Sequence, residues 1–178
     1  MITTGSATSS YEVNIRVPST RITWVMPTYN NNRMLTMALN SFCEHTRGMQ
    51  ADSPLPAPAV IRVVNNGDAL TLSPHPRVTL VESGGGNLGW ERGLVKGLEG
   101  VTSPYVGFIN DDIQVVPGCA AWQDDLVKVL DDHPEVGAVG PMSNFVMGYQ
   151  SFTSGMPAAG ALSTNLLIGF CVLIRREA

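Results

Sequence analysis

Apolar and polar positions fall into blocks along the chain, and their period switches repeatedly between that of a strand and that of a helix. Arg21 to Met26 is a short apolar and β-branched run that stops at Pro27, so it reads as a buried strand. Leu35, Ala38, Leu39 and Phe42 follow at helical spacing, giving a strand, a loop and a helix. Gly48 to Pro58 holds three prolines and no periodicity, which predicts a surface connection, and Val60 to Val64 forms the second strand. Val78 to Val81 is a third strand ahead of the glycines at 84 to 86, and a helix follows from Trp90 to Leu98. Tyr105 to Ile109 makes the fourth strand and ends in Asn110-Asp111-Asp112. After Pro117-Gly118, the spacing of Trp122, Leu126, Val129 and Leu130 predicts an amphipathic helix closed by His133-Pro134. Ala138 to Val139 gives a short strand, Met142 to Gly160 a glycine- and serine-bearing loop, and Leu166 to Ile174 a last apolar strand.

Strands alternating with helices predict one α/β domain over residues 21 to 178, a Rossmann-like, mainly parallel sheet flanked by helices. Met1 to Thr20 is small and polar, a loose lead-in in which only Tyr11 to Val17 could add an edge strand. Open sheets of this class bind ligands at the carboxyl ends of their strands. Three polar clusters sit there: Thr28-Tyr29-Asn30, Asn65-Asn66-Gly67-Asp68 and Asn110-Asp111-Asp112.

Composition narrows the choice of ligand. The apolar share of 44% and charged share of 15% are those of an ordinary globule, and the net charge of −4 gives no reason to expect nucleic acid. An acidic ligand must therefore be held locally, by backbone N–H groups, a few side chains or a metal. Cys43, Cys119 and Cys171 lie far apart without a Cys-x-x-Cys, so no disulfide framework or zinc site is read, and a reduced, cytoplasmic setting is expected. The polar N-terminus has no signal-peptide pattern, and no stretch approaches the ~20 apolar residues that cross a bilayer.

Pro27, Thr28, Tyr29 and Asn30 offer a fixed turn, a hydroxyl, an aromatic face and an amide, suited to a base and ribose. The alternative is a plain turn in which Asn30 or Asn32 caps the helix. Asn65 and Asn66 could bond a nucleobase, yet Asn-Gly is also a common turn pair. Asp111 and Asp112 are adjacent carboxylates that repel each other, so a hard cation such as Mg²⁺ or Mn²⁺, shared with phosphate oxygens, would account for them. A solvated capping loop would do so too. Gly84-Gly85-Gly86-Asn87-Leu88-Gly89 also satisfies G-x-G-x-x-G with Asp111 further on, which keeps a dinucleotide-binding oxidoreductase in play. His45, His75 and His133 lack metal-ligand spacing, and neither a Gly-x-Ser-x-Gly elbow nor a P-loop occurs.

Taken in order, the segments ITWVMPTYNNN at 22 to 32, IRVVNNGD at 61 to 68, GGNLGWERGLVKGL at 85 to 98, YVGFINDDIQVVPG at 105 to 118, VGAVGPMSN at 136 to 144 and LLIGFCVLIRRE at 166 to 177 resemble the inverting family 2 glycosyltransferases of the GT-A fold. The resemblance implies a nucleoside-diphosphate-sugar donor and Mn²⁺ or Mg²⁺. Pro27, Thr28, Tyr29 and Asn30 would line the nucleoside pocket, with Asn65 standing where the family commonly has an Asp facing the base, and Asn66 beside it. Asn87 and Gly89 form the Asn-x-Gly motif near the nucleotide, with Lys96 on the following helix. Asn110 takes the first place of the Asp-x-Asp motif, so Asp111 would approach the ribose or donor sugar and Asp112 the metal. The family normally continues past Arg175-Arg176-Glu177 into a half that binds the acceptor, whether saccharide, lipid or protein, and carries the general base. Against that pattern the sequence is expected to be a shortened piece lacking the C-terminal region, a naturally short protein, or one partner of an oligomer or assembly; a GT-A-like module that binds without turnover is a further alternative.

Overall fold

The first strand, β1 (Ile22–Thr28), is buried at every residue, as a strand covered on both faces must be. It is joined by β2 (Ala59–Asn65), β3 (Val78–Glu82), β4 (Tyr105–Ile109), β5 (Ala138–Val139) and β6 (Cys171–Arg175), with helices α1 (Asn32–His45), α2 (Gly89–Leu98) and α3 (Trp122–Asp132) between them. This computed structural model describes residues 20–53, 58–144, 146, 150–151 and 166–177. The sheet order is β3-β2-β1-β4-β6-β5; the first four strands are parallel, β6 is antiparallel to β4, and β5 is antiparallel to β6. The expected α/β, mainly parallel architecture is therefore present. Most of the lead-in with its Tyr11 to Val17 strand, and most of the Met142 to Gly160 loop, lie outside the described residues.

Alternation along β1 divides the core into two layers. Ile22, Trp24 and Met26 face α1 and α3, whose apolar positions Leu35, Ala38, Leu39, Phe42, Leu126 and Leu130 come from the spacing that predicted those helices. Val25 faces the other way, toward Val64 and Leu94 of α2. Trp24, Phe42 and Trp122 pack edge-on or tilted, with ring centroids 5.1 to 6.1 Å apart. Each such pair contributes about 0.5–1.5 kcal/mol beyond its burial.

Two glycines let these layers close. Gly107 of β4 lies opposite Trp24, and a Cβ there would fall 2.1 Å from the indole ring. Gly97 of α2 lies over β1, where a Cβ would meet Val25 at 2.2 Å. At the far end of α3, which has no basic residue in its last turn, Arg175 of β6 donates to the carbonyls of Leu130, His133 and Val136. A cation from another strand thus caps orphan carbonyls at the negative end of the helix.

Three expectations shift. The expected surface connection from Gly48 contains Met49, which is fully buried in the main core. The strand expected from Leu166 begins only at Cys171, because Gly169 and Phe170 form a turn and pairing with β4 starts at Cys171 opposite Ile109. β1 runs past Pro27 to Thr28: the even residues of β1 bond to β2, as in Ile22 N–H to Pro58 and Asn66 N–H to Thr28, whereas odd residues face β4. Pairing with β4 ends at Val25, so the N–H that Pro27 lacks falls where no partner strand remains.

Gly107→Ala should cost about 1–3 kcal/mol through overpacking against Trp24. Gly137→Ala, where nothing lies within 4 Å of the added carbon, should stay within about 0.5 kcal/mol of the parent. Urea denaturation of the two variants checks this, and equal midpoints would contradict the packing described.

Candidate functional site

The chain leaves β1 toward β2 and β3 on one side of the sheet and returns as β4 on the other, so connectivity reverses between β1 and β4. Pairing there stops at Val25 opposite Phe108, while β1 and β2 stay paired to Thr28 opposite Asn65. The carboxyl ends of β1 and β4 therefore part, and an open cleft of about 460 Å³ occupies the gap.

Each wall follows from local sequence. Thr28, almost fully buried, donates its hydroxyl to Asp111 Oδ2 at 2.6 Å and bridges the parted strand ends. Tyr29 is 56% exposed. Asn30 adopts a left-handed conformation, φ 51°, which Asn tolerates better than most side chains. Its Oδ1 accepts the Asp68 N–H at 2.7 Å, and Gly67 passes so close that a Cβ would lie 2.0 Å from that oxygen. Asn31, rather than Asn30 or Asn32, occupies the N-cap of α1, and its side chain makes no capping bond.

Asn65 is spent on the turn after β2. Its Oδ1 accepts the Gly67 N–H at 3.0 Å, and its Nδ2 donates to the Asp68 carbonyl and to Glu82 Oε2. Asn66 faces the cleft and donates Nδ2 to the Gly89 carbonyl at 3.1 Å. Its Oδ1 is buried without a partner among the described residues. Asn87 folds back to accept the Gly89 N–H at 2.8 Å, and Leu88 caps α2 without a side-chain bond. The N-terminus of α2, with its partial positive charge, thus opens at the cleft beside Trp90.

Of the residues singled out from sequence, Pro27, Thr28, Tyr29, Asn30, Asn66, Asn87, Gly89 and Asp111 share the cleft wall. Asn65 sits behind it. Asn110 is half-buried, with its N–H bonded to the Phe170 carbonyl. Asp112, the next residue after the wall, is exposed. Lys96 stands apart: it lies seven residues along α2 from Gly89, roughly 10 Å at 1.5 Å per residue, and pairs with Glu99 at 2.8 Å. Asn31 and Trp90 line the cleft but were missed. In the sequence pattern Trp90 reads simply as the start of a helix.

Among the described residues lining the cleft, Asp111 is the only charged one. A second, shallower groove of about 360 Å³ lies at the end of α1, between Cys43 and His75. Burial pushes the Cys43 thiol up to about 11, and burial together with Arg77 lowers His75. Both therefore stay neutral at pH 7, and the Sγ to Nδ1 contact of 3.8 Å is no thiolate–imidazolium pair. The glycines at 84 to 86 follow β3, at the sheet edge, and of the glycines in the 84 to 89 run only Gly89 is among the described residues that line the cleft. A dinucleotide fingerprint would instead set its first glycine at a central strand facing the ligand. No helix among the described residues is long and apolar enough to cross a membrane.

Residues 23–178 match the family model for Glycosyl transferase family 2. No curated protein sequence matches the chain. Among solved structures, the chain is similar to S. aureus TarS residues 1–349, with TM-score 0.62, 16% identity and coverage of 87% of this chain and 47% of that one. It is also similar to the mannosyltransferase PcManGT from Pyrobaculum calidifontis in complex with GDP-Man and Mn²⁺, with TM-score 0.62, 22% identity and coverage of 88% and 45%. The TarS 1–349 complex with UDP-GlcNAc aligns at TM-score 0.50, 16% identity and coverage of 80% and 37%. At these identities the likeness is one of fold, and the chain spans less than half the length of these structures.

Two outcomes follow from the geometry. Thr28→Val and Asp111→Ala should be coupled in a double-mutant cycle by about 1–2 kcal/mol, read by urea denaturation, whereas additivity within about 0.3 kcal/mol would dissolve the bridge. In a thiol-reactive dye assay at pH 8, exposed Cys119 should label first, with buried Cys171 and half-buried Cys43, whose thiol is held neutral, lagging at least tenfold. Equal labelling of Cys43 and Cys119 would refute the neutral-thiol assignment.

Proposed function

The chain belongs to glycosyl transferase family 2, and from that premise we propose that its cleft binds the diphosphate and nucleoside of a sugar donor together with Mn²⁺ or Mg²⁺. The whole enzyme, on this reading, transfers the sugar with inversion to an acceptor hydroxyl. The observation that carries the proposal is the charge of the cleft. Among the described residues lining it, a diphosphate placed there meets Asp111 and no lysine or arginine side chain, so a compensating cation is called for.

The residues present fit a hard divalent ion. Among the described residues no group of three or more His, Cys, Asp or Glu could hold a metal by itself. Mg²⁺ and Mn²⁺ do not require one, because phosphate oxygens and waters complete an octahedron around one or two carboxylates. Asp112, exposed beside the wall, is the proposed metal ligand. Asp111, with Oδ2 held by Thr28, is proposed to face the ribose or donor sugar. When bound, the ion would supply positive charge opposite the departing diphosphate. Deprotonation of the acceptor hydroxyl is assigned to none of the cleft residues.

The mannosyltransferase neighbour holds GDP-Man with Mn²⁺, and a TarS structure holds UDP-GlcNAc, which suggests both as trial donors. Isothermal titration of each, with Mn²⁺ and with EDTA, tests the proposal. Affinity for one of them should rise at least tenfold with Mn²⁺, about 1.4 kcal/mol, and Asp112→Ala should abolish the gain. Binding that is indifferent to both changes would rule out a metal-bridged donor.

A further inference from the structure

Resting on the donor-binding reading, we propose that Trp90 is the stacking platform for the donor's nucleobase. The chain has three tryptophans, and they differ in their surroundings. Trp24 is fully buried and Trp122 packs against the same core, whereas Trp90 is 48% exposed and lines the cleft. Half an indole left in water has a hydration cost that core packing would have removed. Trp90 is not the apolar anchor of its helix, a role taken on that face by Leu94 together with Gly93 and Gly97.

Its place in the fold selects the base over the other parts of the donor. α2 lies over β1 and β2, so Trp90 stands on the β1–β2 side of the opening, whereas Asp111 and Asp112 follow β4 on the other side. A nucleoside diphosphate whose phosphates meet the carboxylate end therefore extends its base toward Trp90. Two further groups on that side suit a base. Tyr29 adds a second exposed aromatic ring to the same wall. Asn66, only 2% exposed, carries the unpartnered Oδ1, an acceptor suited to an N–H on the edge of a base. Its Nδ2 bond to the Gly89 carbonyl fixes the turn that presents Trp90. Stacking on an aromatic face tolerates any base, since each has a π-face.

Fluorescence and calorimetry on the full 178-residue chain with Mn²⁺ test this together. GDP and UDP are the probes, and ribose 5-phosphate is the control without a base. At least one nucleotide should quench tryptophan emission with a midpoint equal to its calorimetric Kd, and ribose 5-phosphate should not. Trp90→Ala should remove the quench and weaken nucleotide binding about tenfold, while Trp90→Phe keeps affinity within about threefold. Urea midpoints of both variants near the parent value confirm that the fold survives. Nucleotide binding that Trp90→Ala leaves unchanged, or equal quenching by ribose 5-phosphate, would overturn the platform and leave the donor-binding reading standing. Absence of any nucleotide binding by calorimetry would overturn both.

Discussion

The hydrogen bond from Thr28 to Asp111 spans the gap where neighbouring strands β1 and β4 part, and the site is organised around it. β1 and β4 are neighbours, yet their ladder ends at Val25 opposite Phe108. Beyond that point backbone pairing no longer holds the two strands at sheet spacing. Pro27, without an N–H, fits the side of β1 that has lost its partner. Three residues later Asn30 accepts the left-handed conformation that turns the chain toward α1. The opening is thus a consequence of strand order and of one residue without a donor, and a side-chain bond sets its width.

The opposite wall depends on a different constraint, the close approach of α2 to β1 and β2. Gly93 and Gly97, one turn apart, leave no room for even a methyl group against Pro27, Asn66, Val25 or Val64 without displacement. That approach brings the N-terminal turn of α2 to the edge of the opening and lets Asn66 hold the Gly89 carbonyl. The loops that carry the ligand-facing groups are therefore anchored between closely packed elements. A parallel sheet buried on both faces leaves its chemistry to the loops at strand ends, and here three such loops and one helix start meet.

Much of this was legible because burial imposes period. Leu35, Ala38, Leu39 and Phe42 mark one face of α1 unambiguously, and Tyr105 to Ile109 was bounded correctly because Asn110 and Asp111 end its apolar run. The ends of apolar runs without such punctuation were less legible. Leu166 to Phe170 is as apolar as a strand, but Gly169 turns it and pairing begins only at Cys171. Met49, in a stretch with no period, is buried by tertiary packing that no local pattern announces. At the cleft, polar clusters after strands located the walls, but which amide faces in and which closes a turn is decided by hydrogen bonds formed only on folding. Asn65 and Asn66 are neighbours of one type, yet one closes the turn and the other faces the cleft. Lys96 kept its place in the helical pattern but points to Glu99, because seven residues of helix carry it away from the opening. Trp90 escaped notice because an aromatic at the start of an amphipathic helix reads as core until its exposure is known.

Paramagnetic broadening locates the cation directly, so amide spectra of the chain with a nucleoside diphosphate, recorded before and after substoichiometric Mn²⁺, probe the central claim most closely. Signals of Thr28, Tyr29, Asp111, Asp112 and Gly89 should fade first, while those around Cys43 and His75 persist. Broadening centred on the Cys43 groove, or spread evenly over the surface, would contradict a metal-bridged diphosphate between the parted strands.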